Sequence, residues 1–314
     1  MEVRARLSVD ATRVALNGAA HGSEHCAVDR ESLRALGSAV GRQVLVRRAS
    51  TLLALYSVAE RAGVPGPAVH VGTAGFASLE KPTGEPPPAQ FDATVVTDFI
   101  GGGRRASVRL TEQVLGESST GLAILAPHGG RIEVGTDDQA TTVYELLAGE
   151  HRPVRAWIAR GFNPTIGAHR CWHITASEIS ERSFPRLGSL FDPAARRGRF
   201  AHAIAFHGQN DTAAVVVGGG LPRNRTQTAL KARLAEEIHQ ALRAVTDDPP
   251  PVVVRRSGPL AGAERSNVVN RVTAAGNGIQ LEQPASVRAN DQQRDAIAQA
   301  VAAFYASLLA GSRA

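Results

Sequence analysis

The chain has 314 residues, 43% of them apolar, and 35 Lys and Arg against 29 Asp and Glu give a formal charge of +6. That length suits two domains with ample core material, and no run of about 18 apolar residues offers a membrane span. The basic excess is scattered and aromatics are only 4%, too few stacking platforms for a nucleic-acid binder.

The first third reads as short strands broken by turns. VRARLSV (3–9), QVLVRR (43–48), LLALYSV (52–58), AVHVGTAG (68–75) and ATVVTDF (93–99) carry β-branched or alternating apolar positions bounded by Gly or Pro. A short helix is expected around Glu31 to Leu36, and KPTGEPPPAQ (81–90) and GGGRR (101–105) are expected loops. Residues 1–116 are therefore expected to form a small, mostly-β, barrel-like domain of open role. The N-terminus lacks the apolar block and cleavage site of a secretory signal, so a cytoplasmic location is expected. Cys26 and Cys171 form no CxxC pair, which argues against a Cys-rich metal module and a disulfide scaffold.

From Leu122 the pattern changes. Strands are expected at LAILAP (122–127), VRAWIA (154–159), CWHITAS (171–177), AHAIAFH (201–207), TAAVVVGGG (212–220), VVVRR (252–256) and IQLEQP (279–284). Helices are expected from Thr136, over about Thr226 to Val245, and from Asp291, each with apolar residues at helical spacing. Doubly buried strands alternating with helices predict an α/β fold for 117–314, a mixed sheet flanked by helices.

Ligands in open α/β sheets bind beyond the strand C-termini. His128 follows LAILAP and precedes two glycines, His207 closes AHAIAF before Gly208, and Glu282 sits near the end of IQLEQ. Glycine after a histidine permits a sharp turn and leaves room for a ligand beside the imidazole. Glu133 lies five residues past His128 in HGGRIEVGT, a spacing that suits a curled loop presenting imidazole and carboxylate to one ion. Two His and one Glu with an open fourth position form a known ligand set of catalytic zinc. A second carboxylate must then move protons, and Glu282 is the candidate. A histidine at a strand end is more often a hydrogen-bonded structural residue, and ten histidines occur here. Spacing alone therefore leaves both readings open. His173, inside CWHITAS, reads as a satisfied core histidine. No GxSxG elbow or phosphate-loop pattern occurs.

The segments APHGGRIEVGT (126–136), HITAS (173–177), AIAFHG (203–208), VVGGG (216–220), NVVNR (267–271) and GNGIQLEQPASVR (276–288), in this order and with these gaps, resemble the poly-γ-glutamate hydrolase family. The resemblance covers roughly residues 118–314. It implies a fold similar to zinc carboxypeptidases, with His128, Glu133 and His207 as Zn2+ ligands and Glu282 as general base and acid. The HxxxxE spacing here matches that family's replacement of the shorter HxxE. The implied substrate is poly-γ-glutamate or a related carboxylate-bearing peptide. Such a substrate needs planar bidentate donors, for which Arg271 and Arg288 are candidates, with Asn267 and Asn270 as neutral donors. Arg288 could also steady the oxyanion of the tetrahedral state. A competing reading is a non-catalytic peptide-binding protein in a biosynthetic pathway that keeps the hydrolase-like fold.

Overall fold

The computed structural model describes residues 1–10, 22–49, 52–62, 66–79, 90–101, 107–194, 198–221 and 225–311. The expected loops at 81–89 and 102–105 lie outside them, as does His21. Two compact units emerge, Met1–Thr111 with Gly161–Pro185, and Glu112–Arg160 with Arg186–Ala314. A contiguous split at 116/117 does not anticipate that the excursion 161–185 groups with the first unit.

The first unit is a closed six-stranded barrel. Its strands are β1 (Glu2–Asp10), β2 (His25–Asp29), β3 (Gln43–Arg47), β4 (Leu53–Ala62), β5 (Ala68–Gly72) and β6 (Gln90–Val96), in the order β1-β5-β2-β4-β3-β6. Two short helices, α1 (Arg30–Ala35) and α2 (Thr73–Phe76), lie between strands. In β1 the alternation is plain: Arg4 and Arg6 are exposed while Ala5 and Leu7 are buried. Leu7, Val28, Val44, Val46, Tyr56, Val69, Phe76 and Val95 fill the interior. The α1 cap explains the sharp turn after β2, because the Asp29 carboxylate accepts from the Ser32 N–H at 2.9 Å and the Ala68 N–H at 2.7 Å. β2 is absent from the expected strands because its five residues, all buried, are short and include His, Cys and Asp.

Residues 161–185 correct one expectation. CWHITAS is no strand: α4 (Ala168–Trp172) ends there and His173 is its extended C-cap. The Glu24 carboxylate meets His173 Nδ1 at 2.5 Å and accepts from the Thr175 N–H at 2.6 Å. Burial pushes Glu24 upward, but the His173 hydrogen bond and charge, together with Thr175, outweigh it and hold the carboxyl at about 2. His25 in turn lies 2.7 Å from Glu178.

The second unit is a seven-stranded mixed sheet. Its strands are β7 (Arg109–Leu115), β8 (Leu122–Gly130), β9 (Val154–Phe162), β10 (His202–Gln209), β11 (Val215–Gly218), β12 (Val252–Val254) and β13 (Gly278–Pro284), in the order β12-β11-β13-β10-β8-β9-β7. β8, β10 and β13 run parallel and β11 runs antiparallel to β13. The long helices α3 (Thr136–Gly149), α6 (Arg225–Arg243) and α9 (Asp291–Gly311) carry the apolar faces; α5 (Pro185–Gly188), α7 (Val268–Arg271) and α8 (Ala285–Ala289) are single turns. Ile124, Ala126, Ile204, Phe206, Ile279 and Leu281 share one core with Val143, Ile238 and Val301 of the long helices. Because strand side chains alternate faces, His207 and Glu282 project to the opposite face. Gln139 of α3 and Gln283 of β13 exchange two buried amide hydrogen bonds, 2.9 and 2.8 Å, which lock α3 to β13. Among the described residues no helix is long and apolar enough to cross a membrane.

Candidate metal centre

The site forms where β8 and β10 end. After His128 the chain curls back and the Glu133 N–H donates to the His128 carbonyl at 2.8 Å. Thr136 then bonds the Glu133 carbonyl through its hydroxyl at 2.9 Å, and Gly135, in the left-handed region at φ 90°, opens α3. This closed loop brings a side chain from each end of a five-residue step to one point.

Two imidazoles and one carboxylate converge there. His128 Nδ1 lies 3.0 Å from Glu133 Oε1 and 3.3 Å from His207 Nδ1. His207 Nδ1 lies 3.7 Å from Glu133 Oε2. Ligands about 2.0–2.1 Å from a tetrahedral ion stand roughly 3.3 Å apart, and the spacings between these three side chains bracket that value. All three residues are buried, at 2%, 4% and 3% exposure. The Gly208 N–H donates to Glu133 Oε2 at 2.8 Å and fixes the carboxylate plane. A hard-to-soft mix of one carboxylate and two imidazoles suits zinc.

Glu282 is the direct register partner of His207 across β10 and β13, so the two side chains stand side by side on one face. One Glu282 oxygen accepts from the Gln280 side-chain amide at 2.8 Å. Gln280 accepts in turn from Asn267 at 2.8 Å, whose oxygen caps α7 through the Val269 N–H. Gln280 escapes the sequence reading, although a polar pair at i and i+2 in the buried strand GIQLEQ is the signal that points to it.

Arg288 is 7% exposed. Its Nε donates to the Gln283 carbonyl at 3.2 Å and its Nη1 to the Val134 carbonyl at 2.7 Å. Among the described residues its Nη2 has no protein acceptor. Burial pulls its pKa down and the nearby charges of Glu133 and Glu282 pull it up, so the cation sits in the field of both carboxylates. The glycines beside His128 and His207 serve a purpose other than the expected one. A Cβ on Gly208 would come within 2.4 Å of the Arg288 guanidinium, and one on Gly129 within 2.6 Å of Asp137 Cβ. The room is taken by this chain's own side chains: Asp137 accepts from the Gly130 N–H at 3.0 Å and pairs with Arg160 at 2.6 Å. Gly208→Ala is therefore expected to displace Arg288 and cut turnover by about tenfold or more with the fold kept. Steady-state kinetics with a thermal melt checks this, and unchanged kcat would separate Arg288 from the reaction.

Asn270 is buried, gives its amide to the Gly262 and Glu264 carbonyls, and accepts from the Gly220 N–H. Arg271 is half-buried, with Nε on the Ser266 carbonyl and its guanidinium 5.6 Å from the Phe191 ring centroid. Each is thus built into the chain around the loop 260–271.

A family model described as poly-gamma-glutamate hydrolase matches residues 110–305. Among solved structures, the chain is similar to a bacteriophage poly-gamma-glutamate hydrolase at 21% identity, covering 67% of this chain and 99% of that one with a TM-score of 0.47. It is also similar to a protein described as YNDL-apo (Zinc-free), at 22% identity over 62% of this chain and 88% of that one with a TM-score of 0.45. The rationally designed mkDPBB_sym2 protein matches 31% of this chain and 98% of its own at 20% identity and a TM-score of 0.24. A search of curated proteins finds no match.

Proposed function

We propose, on the premise that the chain belongs to the poly-gamma-glutamate hydrolase family, that it is a zinc-dependent amidohydrolase acting on γ-glutamyl or related carboxylate-bearing peptides. The observation that supports this reading is the convergence of His128 Nδ1 and His207 Nδ1, 3.3 Å apart, on the Glu133 carboxylate, whose Oε1 lies 3.0 Å from the first and Oε2 3.7 Å from the second. These residues would hold the ion, and the mixed sheet around them is read as zinc carboxypeptidase-like. Zinc bound there supplies Lewis acidity and brings the pKa of a water to about 7.

The remaining steps belong to the chain's own side chains. Glu282, oriented by Gln280, takes a proton from the attacking water at a carboxylate oxygen and returns it to the leaving nitrogen. Arg288, a cation fixed by two backbone carbonyls, offers Nη2 to the negative charge that develops on the substrate oxygen. Arg271, at the half-exposed edge of its loop, takes a substrate carboxylate. Asn267 and Asn270 act by position: the first steadies Gln280, and the second holds the loop that carries Arg271.

Purified protein is expected to shorten poly-γ-glutamate, to lose that activity to a chelator, and to regain it with zinc. Chain length followed by gel filtration reads all three steps. Polymer left intact by the zinc-loaded protein overturns the reading and favours a peptide-binding protein of hydrolase-like fold.

A further inference from the structure

We propose that the outer face of the barrel binds a polyanionic, carboxylate-bearing chain. A cleft of about 740 Å³ in the first unit is lined by Arg4, Arg6, Arg47, Arg48, His70 and Thr94, among others. Register explains why the arginines gather. Arg4 and Arg47 are both paired with Thr94, from opposite sides of β6. With strands about 4.8 Å apart, their Cα atoms stand about 10 Å from each other on one face. Arg6 follows two residues along β1 from Arg4, about 7 Å on and on the same face. Arg48 lies over the Phe91 ring, 4.6 Å from its centroid.

Four guanidinium groups thus face one lining carboxylate, Asp92. No ion pair or guanidinium hydrogen bond among the described residues engages Arg4, Arg6 or Arg47. Like charges side by side on a sheet destabilise it, and nothing described in the cleft relieves them beyond Asp92. Several forks in a row match a ligand with several carboxylates in a row, each of which an arginine can bind in bidentate fashion. No Phe, Tyr or Trp lines the cleft among the described residues and His70 is its one ring there, so successive bases of a nucleic acid find no stacking platform. The choice of a γ-glutamyl polymer as the occupant rests on the proposed function. The cationic stripe itself does not. A chain held on the barrel raises the local concentration of polymer for the hydrolase unit of the same polypeptide.

Labelled poly-γ-glutamate, titrated with the full-length Glu282→Gln protein in chelator, reads binding by anisotropy without cleavage. Arg4→Gln, Arg6→Gln and Arg47→Gln combined are expected to weaken binding roughly tenfold at moderate salt, while the three Lys replacements, which keep the charge, weaken it about threefold or less. Equal binding by the Gln variant overturns the proposal, and so does equal loss in the Lys and Gln variants. Tighter, arginine-dependent binding of single-stranded DNA of equal charge assigns the face to nucleic acid instead. The two readings fail separately. Polymer bound through these arginines but never cut removes the hydrolase and leaves the surface. Polymer cut but bound without them does the reverse.

Discussion

Replacing Glu282 by Gln is expected to lower hydrolysis of poly-γ-glutamate by about 10²–10⁴-fold while zinc content and fold stay intact. The substitution is nearly isosteric, so the buried position at 9% exposure gains no clash. The Gln280 amide that now donates to a carboxylate oxygen at 2.8 Å can still donate to the new amide oxygen. What disappears is the capacity to accept a proton, and the step it serves loses its base. The candidate ligands His128, Glu133 and His207 are unchanged, because Glu282 neighbours His207 by register and is not one of them. Metal analysis beside kcat measurements checks both halves. Retained activity in this variant removes Glu282 from the mechanism, and loss of metal reassigns it to the centre.

His128→Ala and His207→Ala should each abolish stoichiometric zinc binding. Each removes one corner of a three-donor site, and two protein donors seldom hold zinc. Stability supplies a second readout. A ligand that binds only the folded state at about a thousand times its Kd adds about 4 kcal/mol, which for a unit of this size raises Tm by roughly 8–16 °C. Wild-type protein is expected to show that rise on zinc addition and the two variants to show little of it. A rise of equal size in the variants would place the metal elsewhere.

His128, Glu133, His207 and Glu282 are legible in the sequence as candidates for a physical reason, while the family resemblance is what selects them as a set. His128 and Glu133 are local, and a loop rich in glycine between an apolar strand and a helix start constrains where its ends go. His207 and Glu282 stand out because each is polar at the end of an otherwise apolar run, and buried strands seldom carry such groups without a use. The central strands and long helices were legible for the same reason: their apolar periods are long and uninterrupted. The rest depended on partners far along the chain. β2 is short and mixed in composition, and pairs with β4 and β5. CWHITAS has the residue types of a strand, yet the bonds of Glu24 to His173 and Thr175 hold it as a helix end and turn. The roles of Gly129 and Gly208 could not be read locally either, because what crowds them comes from Asp137 and Arg288.

The two shorter spacings among these candidate ligands differ in how far along the chain they reach. His128 and Glu133 are five residues apart, whereas His128 and His207 are 79 apart. A chain emerging from the ribosome, or reopening after denaturation, can curl the first pair into a two-armed clip on its own. The third arm arrives only when β10 docks in parallel against β8, a long-range pairing of the kind that folds late. On the proposed metal reading, an ion held here would join the local clip to the middle of the sheet, so a chelator is expected to strip it faster from variants that weaken the β8–β10 pairing.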